Sequence, residues 1–204
     1  MQDICKVTAY VTRHSHRKEV YPVLARHFKG VNPVSTGLVV KGLAEPEIDF
    51  EIDVFAVVPE AREEHLRLGV TNLNRPEAKD FAFPDLDYGV ARAVRAGDLV
   101  FLQGQTGRTM DGGFVGKGDV AAQAGNAMSC VKDLLEEAGA RMEDICKVIT
   151  YVKEVSDRQL VYPVLARHLK GVNPVSTGLV VEAFGHPDVD FEIDVFTVIP
   201  EDRA

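Results

Sequence analysis

An α+β fold, with helices packed on one face of a sheet, is the class that residues 85–201 predict. Two observations carry that expectation. Short β-prone runs, two of them followed by a glycine-rich loop and two closing the chain, are interleaved with two stretches whose apolar residues recur at helical spacing. Capping residues, glycines and prolines then mark where those stretches stop, so that the order reads β-β-β-α-β-α-β-β. A third observation enlarges the picture: residues 1–60 align without a gap to residues 142–201, which adds a repeated β-α-β-β half unit.

The elements follow in order. Gly89 to Val94 and Asp98 to Gln103 are β-prone runs separated by Arg95-Ala96-Gly97, a turn signal. Six glycines between Gly104 and Gly118 leave room for one short strand near Phe114. Asp119 can cap a helix whose apolar positions Val120, Ala124, Ala127, Val131, Leu134 and Leu135 keep a period near 3.6, and Gly139 sits where a left-handed C-terminal residue belongs. Val148 to Lys153 is the next strand. Ser156 and Gln159 have capping-box spacing before the apolar run from Leu160, with Gly171 as the stop. Pro163 should kink this helix or mark its true first turn. Ser176 to Val181 and Phe191 to Ile199 close the unit as strands joined through Gly185, His186 and Pro187.

Of the 60 aligned positions in the two copies, 41 are identical on direct count. Tyr21 to His27 returns as Tyr162 to His168, and Gly30 to Val40 returns unchanged as Gly171 to Val181. Differences gather in 12–19 against 153–160 and in 41–48 against 182–189. The domain reading is therefore a partial unit at 1–60, a linker and lead-in at 61–84, and a complete unit at 85–201. The half unit exposes strand edges and an apolar face, so it must pack against another domain or chain.

Composition narrows the function classes. A net charge of −8 argues against a broad basic surface for nucleic acid. No apolar run approaches the roughly 20 residues of a membrane helix, and residues 1–13 do not read as a signal peptide. Cys5, Cys130 and Cys146 have no metal-ligand spacing and read as buried small hydrophobes in a reducing, cytoplasmic setting. No histidine pair has zinc-ligand spacing, and Gly116-Lys117-Gly118 lacks the residues of a phosphate-binding loop, so neither metal nor cofactor is expected.

Four local patterns then form an ordered set: Ala93-Val94-Arg95-Ala96-Gly97-Asp98 leading to Gly104-Gln105, Val120-Ala121-Ala122-Gln123, Asp144-Ile145-Cys146-Lys147-Val148, and Phe191-Glu192-Ile193-Asp194-Val195-Phe196. In that order they resemble the Rid (reactive intermediate deaminase, or YjgF) family. The resemblance covers nearly all of 85–201 and, through the repeat, 1–59. It implies a chorismate-mutase-like fold, a homotrimer or pseudo-trimer with clefts between subunits, and hydrolysis of small imines and enamines. It implies further that Glu192 handles the attacking water, and that an arginine two residues after the proline of a Pro-Ala-Arg-Ser type segment grips a substrate carboxylate.

The chain departs from that pattern at the arginine. Asn173-Pro174-Val175-Ser176-Thr177 puts Ser176 at its position, as Asn32-Pro33-Val34-Ser35-Thr36 does in the first copy, and this resembles the arginine-lacking branches of the family. Gln103-Gly104-Gln105 stands where the family has Ser-Gly-Gln. The candidate site is thus Glu192 as the catalytic acid, with Ser176, Thr177, Gln103 and Gly104 around the substrate and Arg108 as a replacement cation. Glu192 and Asp194 are spaced i, i+2 and share a strand face opposite Phe191, Ile193 and Val195; Asp194 reads as structural. The expected function is a C=N hydrolase or deaminase of altered substrate range. The alternative is a non-catalytic ligand-binding or scaffold protein on the same fold, and a weaker third is the ribonuclease and translation-inhibitor role in older names for the family.

Overall fold

The computed structural model describes residues 1–59, 64–72 and 88–203. Alternating apolar residues build β1 (Ile4–Val11). Helix α1 (Arg17–Phe28) then carries the chain back to β2 (Val34–Val39), which pairs parallel to β1, and β3 (Phe50–Ala56) pairs antiparallel on the other side of β1. Short strands follow: β4 (Leu66–Leu68), β5 (Thr71–Asn72), β6 (Gly89–Val90), β7 (Ala93–Ala96) and β8 (Leu99–Leu102). After α2 (Val120–Glu137) the pattern of the first copy returns as β9 (Ile145–Val152), α3 (Arg158–His168), β10 (Val175–Val180), β11 (Ala183–Phe184) and β12 (Phe191–Val198).

One sheet has the order β10-β9-β12-β8-β7-β4 and the other β11-β2-β1-β3, with β5 and β6 as a small ribbon. The second copy therefore continues the sheet begun by β7 and β8, and the first copy builds a sheet of its own. Strand β11 belongs to the second copy by sequence but adds to the edge of β2, pairing Ala183 with Val39 and Phe184 with Leu38. Helices α2 and α3 cover the outer face of the larger sheet, where Ala124, Val131, Leu135 and Leu165 meet Phe191, Ile193 and Val195. Helix α1 covers the smaller one with Tyr21, Leu24 and Phe28 over Val7 and Ala9, and Tyr88 packs beneath it against Tyr21 and Phe28.

The local signals act as expected at α2, where Asp119 Oδ1 accepts from Ala122 N–H at 2.9 Å and Gly139 takes a φ of +80°. Several expectations need correction. In the span 61–84 the described residues 64–72 are more than a linker, because Leu66–Leu68 pairs antiparallel with β7 as the edge of the larger sheet; residues 61–63 and 73–84 lie outside the described residues. The strand expected near Phe114 is only an isolated bridge to Arg108. Pro163 sits inside α3 rather than in its first turn; the proline is exposed, so the backbone carbonyl it leaves unpaired can face water. Ser156 lies in a 3-10 turn before that helix, where Asp157 accepts from Glu154 N–H at 3.3 Å. Cys5 and Cys130 are buried, but Cys146 is exposed, on the face of β9 opposite the helices.

The two sheets meet through their inner faces. Lys6 of β1 and Asp194 of β12 form an ion pair at 2.9 Å, with side chains 0% and 1% exposed. The ammonium also donates to Leu102 O and Thr36 Oγ1, each at 3.1 Å. Asp194 accepts further hydrogen bonds from Thr36 (2.6 Å) and Tyr151 (3.1 Å). All three ammonium donors are thus used, which a buried charge requires. The repeat supplies a comparison within one molecule. Asp53, the counterpart of Asp194, is exposed and among the described residues accepts from Tyr10 alone, while Lys147, the counterpart of Lys6, lies 5.8 Å from the Phe196 ring centre.

Replacing Lys6 by methionine strands Asp194 without its counter-charge and is expected to cost about 3–5 kcal/mol. Lys147→Met should cost at most about 1 kcal/mol. Urea unfolding of the two variants against the wild type checks the difference.

Candidate active site

Strand alternation aims Glu192 away from Phe191 and Ile193 and into the seam between the sheets. Its side chain ends against Gly104: a Cβ at that glycine would lie 1.8 Å from Glu192 Oε1 and 2.9 Å from Thr36 Oγ1. Glycine at 104 is what lets the carboxyl occupy this place. The residue is 6% exposed, and among the described residues nothing hydrogen-bonds to its carboxyl. Burial, and then the neighbouring Asp194 charge, push its pKa up to about 8, with Lys6 and Arg17 opposing the rise. Glu192 is therefore largely protonated at neutral pH and poised to exchange a proton.

The carboxyl faces a cavity of about 230 Å³. One wall is the first copy, with Arg17 and Tyr21 from α1 and Ser35 and Gly37 from β2. The facing wall is Gln103, Gly104, Gln105 and Arg108 from the loop after β8. Phe184, Gly185 and His186, from the hairpin carrying β11, close one end, and His186 stacks on Phe114 at 5.9 Å. The loop is held from behind, where Asn126 donates to the carbonyls of Thr106 (3.0 Å) and Arg108 (2.8 Å). Among the described residues no group of three or more His, Cys, Asp or Glu side chains is placed to hold a metal ion.

The structure brings Glu192, Gln103, Gly104 and Arg108 together and leaves Ser176 and Thr177 out. Those two lie exposed on β10, at the sheet edge, with β9 between them and β12. Their repeat counterparts Ser35 and Thr36 face the seam instead. Ser35 lines the cavity and Thr36 bonds to Asp194, because β2 rather than β10 lies across the seam from Glu192. Arg17, Tyr21 and His186 went unnoticed in the sequence. For the first two there was no signal, since Arg158 and Tyr162 repeat them. His186 had one: it falls in the hairpin where the copies diverge, opposite Glu45.

Fold and cleft together describe an α+β protein with a buried acid at a seam between two related units. The family model described as Endoribonuclease L-PSP matches residues 87–199, and the chain belongs to that family, the Rid/YjgF family. A RutC family protein of Pyrococcus abyssi is 34% identical over 67 residues, which is 33% of this chain and 53% of that one. A 2-iminobutanoate/2-iminopropanoate deaminase of Dermatophagoides farinae is 30% identical over 67 residues, 33% of this chain and 52% of that protein. The chain thus spans about half the length of each of these relatives. The crystal structure of a YjgF-family member from Mycobacterium tuberculosis superposes with a TM-score of 0.53 at 26% identity, covering 67% of this chain and all of that one.

A carboxyl whose pKa is raised in the folded state adds stability that is full below its ordinary value of 4.5 and is lost as pH rises to about 8. Glu192→Gln removes that dependence. The variant should match the wild type below about pH 4.5 and gain on it by roughly 4–5 kcal/mol as pH rises toward about 8. Denaturant midpoints measured across that range check the sign.

Proposed function

We propose that the chain is an imine or enamine hydrolase acting on a small molecule, with Glu192 as its acid and base. The carrying observation is the buried Glu192 carboxyl, unpartnered among the described residues and facing a cavity, with its pKa lifted to about 8. The printed name of the mite relative agrees with this chemistry. A cavity of about 230 Å³ and a net charge of −8 suit a small substrate better than RNA.

The steps balance without a cofactor. Protonated Glu192 donates to the imine nitrogen, which makes the carbon more electrophilic. Water adds to that carbon as the resulting carboxylate takes up the water's proton, and a carbinolamine forms. The same proton then passes to the amino nitrogen, the C–N bond breaks, and ammonia leaves as the carbinolamine hydroxyl returns its proton to the Glu192 carboxylate and the carbonyl forms. Gly104 leaves room for the carboxyl, and burial, with the Asp194 charge adding to it, holds the acid in its protonated form.

The assembly we propose is a homo-oligomer, a trimer or pseudo-trimer, whose contacts include the open inner face of β10. Val34 and Leu38 in the first copy are 0% and 1% exposed against the complete unit; their identical counterparts Val175 and Leu179 are 67% and 43% exposed. A second copy of this chain seated there would bury the same side chains that the seam already buries. The proposed setting is the cytoplasm, supported by three free cysteines, two of them buried. No helix among the described residues is long and apolar enough to cross a membrane.

Glu192→Gln should lower hydrolysis of a panel of freshly generated small imines by roughly 10²–10⁴-fold. Wild-type kcat/KM should fall as pH rises through about 8, a loss absent from the residual rate of the variant. Equal rates in both proteins at the uncatalysed level would leave a binding-only protein. For the assembly, native mass should show more than one chain, and Val175→Asp should return it to a single chain with the fold retained.

A further inference from the structure

We propose that Gln123, in the first turns of α2, is a positioning residue for Glu192. Its amide fixes the backbone that carries the acid and ties the hairpin and the glycine loop of the cleft to the same point. This inference rests on the hydrolase reading and adds to it the residue that sets where the acid stands.

Among the described residues the Glu192 carboxyl accepts no hydrogen bond, so only the backbone of β12 and the space at Gly104 set its place. On one side that backbone is paired with β9, Phe191 opposite Val152 and Glu192 opposite Tyr151. On the other side β8 covers only Phe196 to Val198, and a single bridge between Gln105 and Ile193 follows it. That bridge uses both the N–H and the carbonyl of Ile193, each at 2.9 Å. Backbone groups facing one neighbour alternate along an antiparallel strand, so the next N–H on that side belongs to Phe191. Gln123 stands there. Its Oε1 accepts from Phe191 N–H at 3.3 Å and from Asp190 N–H at 2.8 Å. The amide replaces the missing neighbour strand immediately before the acid.

The other end of the amide holds the cleft walls. Nε2 donates to Gly116 O and Asp188 O, each at 2.9 Å, and lies 3.2 Å from Asp190 Oδ2. Asp188 follows the hairpin residues Phe184, Gly185 and His186 that line the cavity. A Cβ on Gly107 would lie 2.9 Å from Gln123 Cγ, so the loop between Gln105 and Arg108 rests on the same side chain. Gln123 is 0% exposed. Only a carboxamide offers, in one plane, an oxygen that accepts two N–H groups and a nitrogen with two protons for carbonyls. The carbonyls facing the nitrogen settle which way the amide points.

The repeat shows the same strand without this support. Residues 1–60 repeat only 142–201, so the first copy carries no counterpart of α2 or of Gln123. There Asp49 and Glu51, the counterparts of Asp190 and Glu192, are exposed, and Asp49 accepts from Thr12 at 2.6 Å.

The test follows the Glu192 carboxyl by 13C NMR titration and measures kcat/KM against pH on the small-imine panel. Wild type, Gln123→Met and Lys153→Met are compared as full chains, with thermal melting to verify the fold. Lys153 is the control: it donates to Pro187 O (3.0 Å) and Asp190 Oδ1 (2.9 Å) in the same stretch but touches neither backbone N–H. Gln123→Met is expected to lower kcat/KM on the order of 10²-fold. It should also move the Glu192 titration, and the falling limb of kcat/KM, from about 8 to lower pH by about one pH unit or more as water reaches the carboxyl. Lys153→Met should leave both in place. A lesion in folding alone reduces the amount of active protein without moving the limb. An unmoved Glu192 titration in Gln123→Met, or an equal movement in Lys153→Met, overturns the assignment. In the wild type, Phe191 N–H should exchange with solvent as slowly as Ile193 N–H; fast exchange at Phe191 overturns it even where the variant fails to fold. Glu192-dependent hydrolysis that Gln123→Met leaves unchanged sinks the positioning role and leaves the hydrolase. A moved Glu192 titration in a protein without hydrolysis does the reverse.

Discussion

The Lys6–Asp194 ion pair is the interaction on which the arrangement of the two units turns. It joins β1 of the first copy to β12 of the complete unit at a point where neither side chain reaches water. Two charges taken out of solvent repay their desolvation only when geometry is good and every remaining donor and acceptor is used. Here Leu102, Thr36 and Tyr151 complete the set, drawn from both sides of the seam. The pair spans the seam at the register that sets β2 opposite Glu192.

The same pair tunes the chemistry. Asp194 is the second cause, after burial, of the raised pKa of Glu192, and Lys6 is the first of the cations opposing it. The acid is thus set by a balance of charges that also holds the fold together. Burying an unpartnered carboxyl costs stability at neutral pH, and the seam tolerates that cost because the neighbouring ion pair is fully satisfied. A destabilised group beside a well-satisfied one is a common sign of a working site.

Much of the fold could be read from the sequence, and the limit of that reading has a physical origin. Helix α2 announced itself through Asp119, its apolar stripe and Gly139, because these signals are local. Glu192 and Asp194 on one strand face followed from alternation alone. What could not be read was which copy of Ser-Thr faces Glu192. Ser35-Thr36 and Ser176-Thr177 are identical in sequence and in strand position, so only the packing of one unit on the other distinguishes them. Arg17 was hidden for the same reason: its environment, not its residue type or its spacing, separates it from Arg158. The strand Leu66–Leu68 was missed because three residues carry too little pattern to register.

The hairpins show what joining two copies in one chain makes available. Across 41–48 and 182–189 only Pro46 and Pro187 agree, while the flanking strands are nearly unchanged. In an assembly of identical subunits, every substitution in such a hairpin would appear in every cleft. In this chain the hairpin of the second copy crosses to β2 and brings Phe184, Gly185 and His186 into the cleft. The first copy has Leu43, Ala44 and Glu45 at the matching positions, and these line no part of that cleft. One hairpin can therefore change with the needs of the cleft while the other changes with those of the surface. The strands that carry Lys6, Ser35 and Asp194 are nearly identical in the two copies, yet their counterparts Lys147, Ser176 and Asp53 take no part in the seam, so packing and not sequence separates their roles.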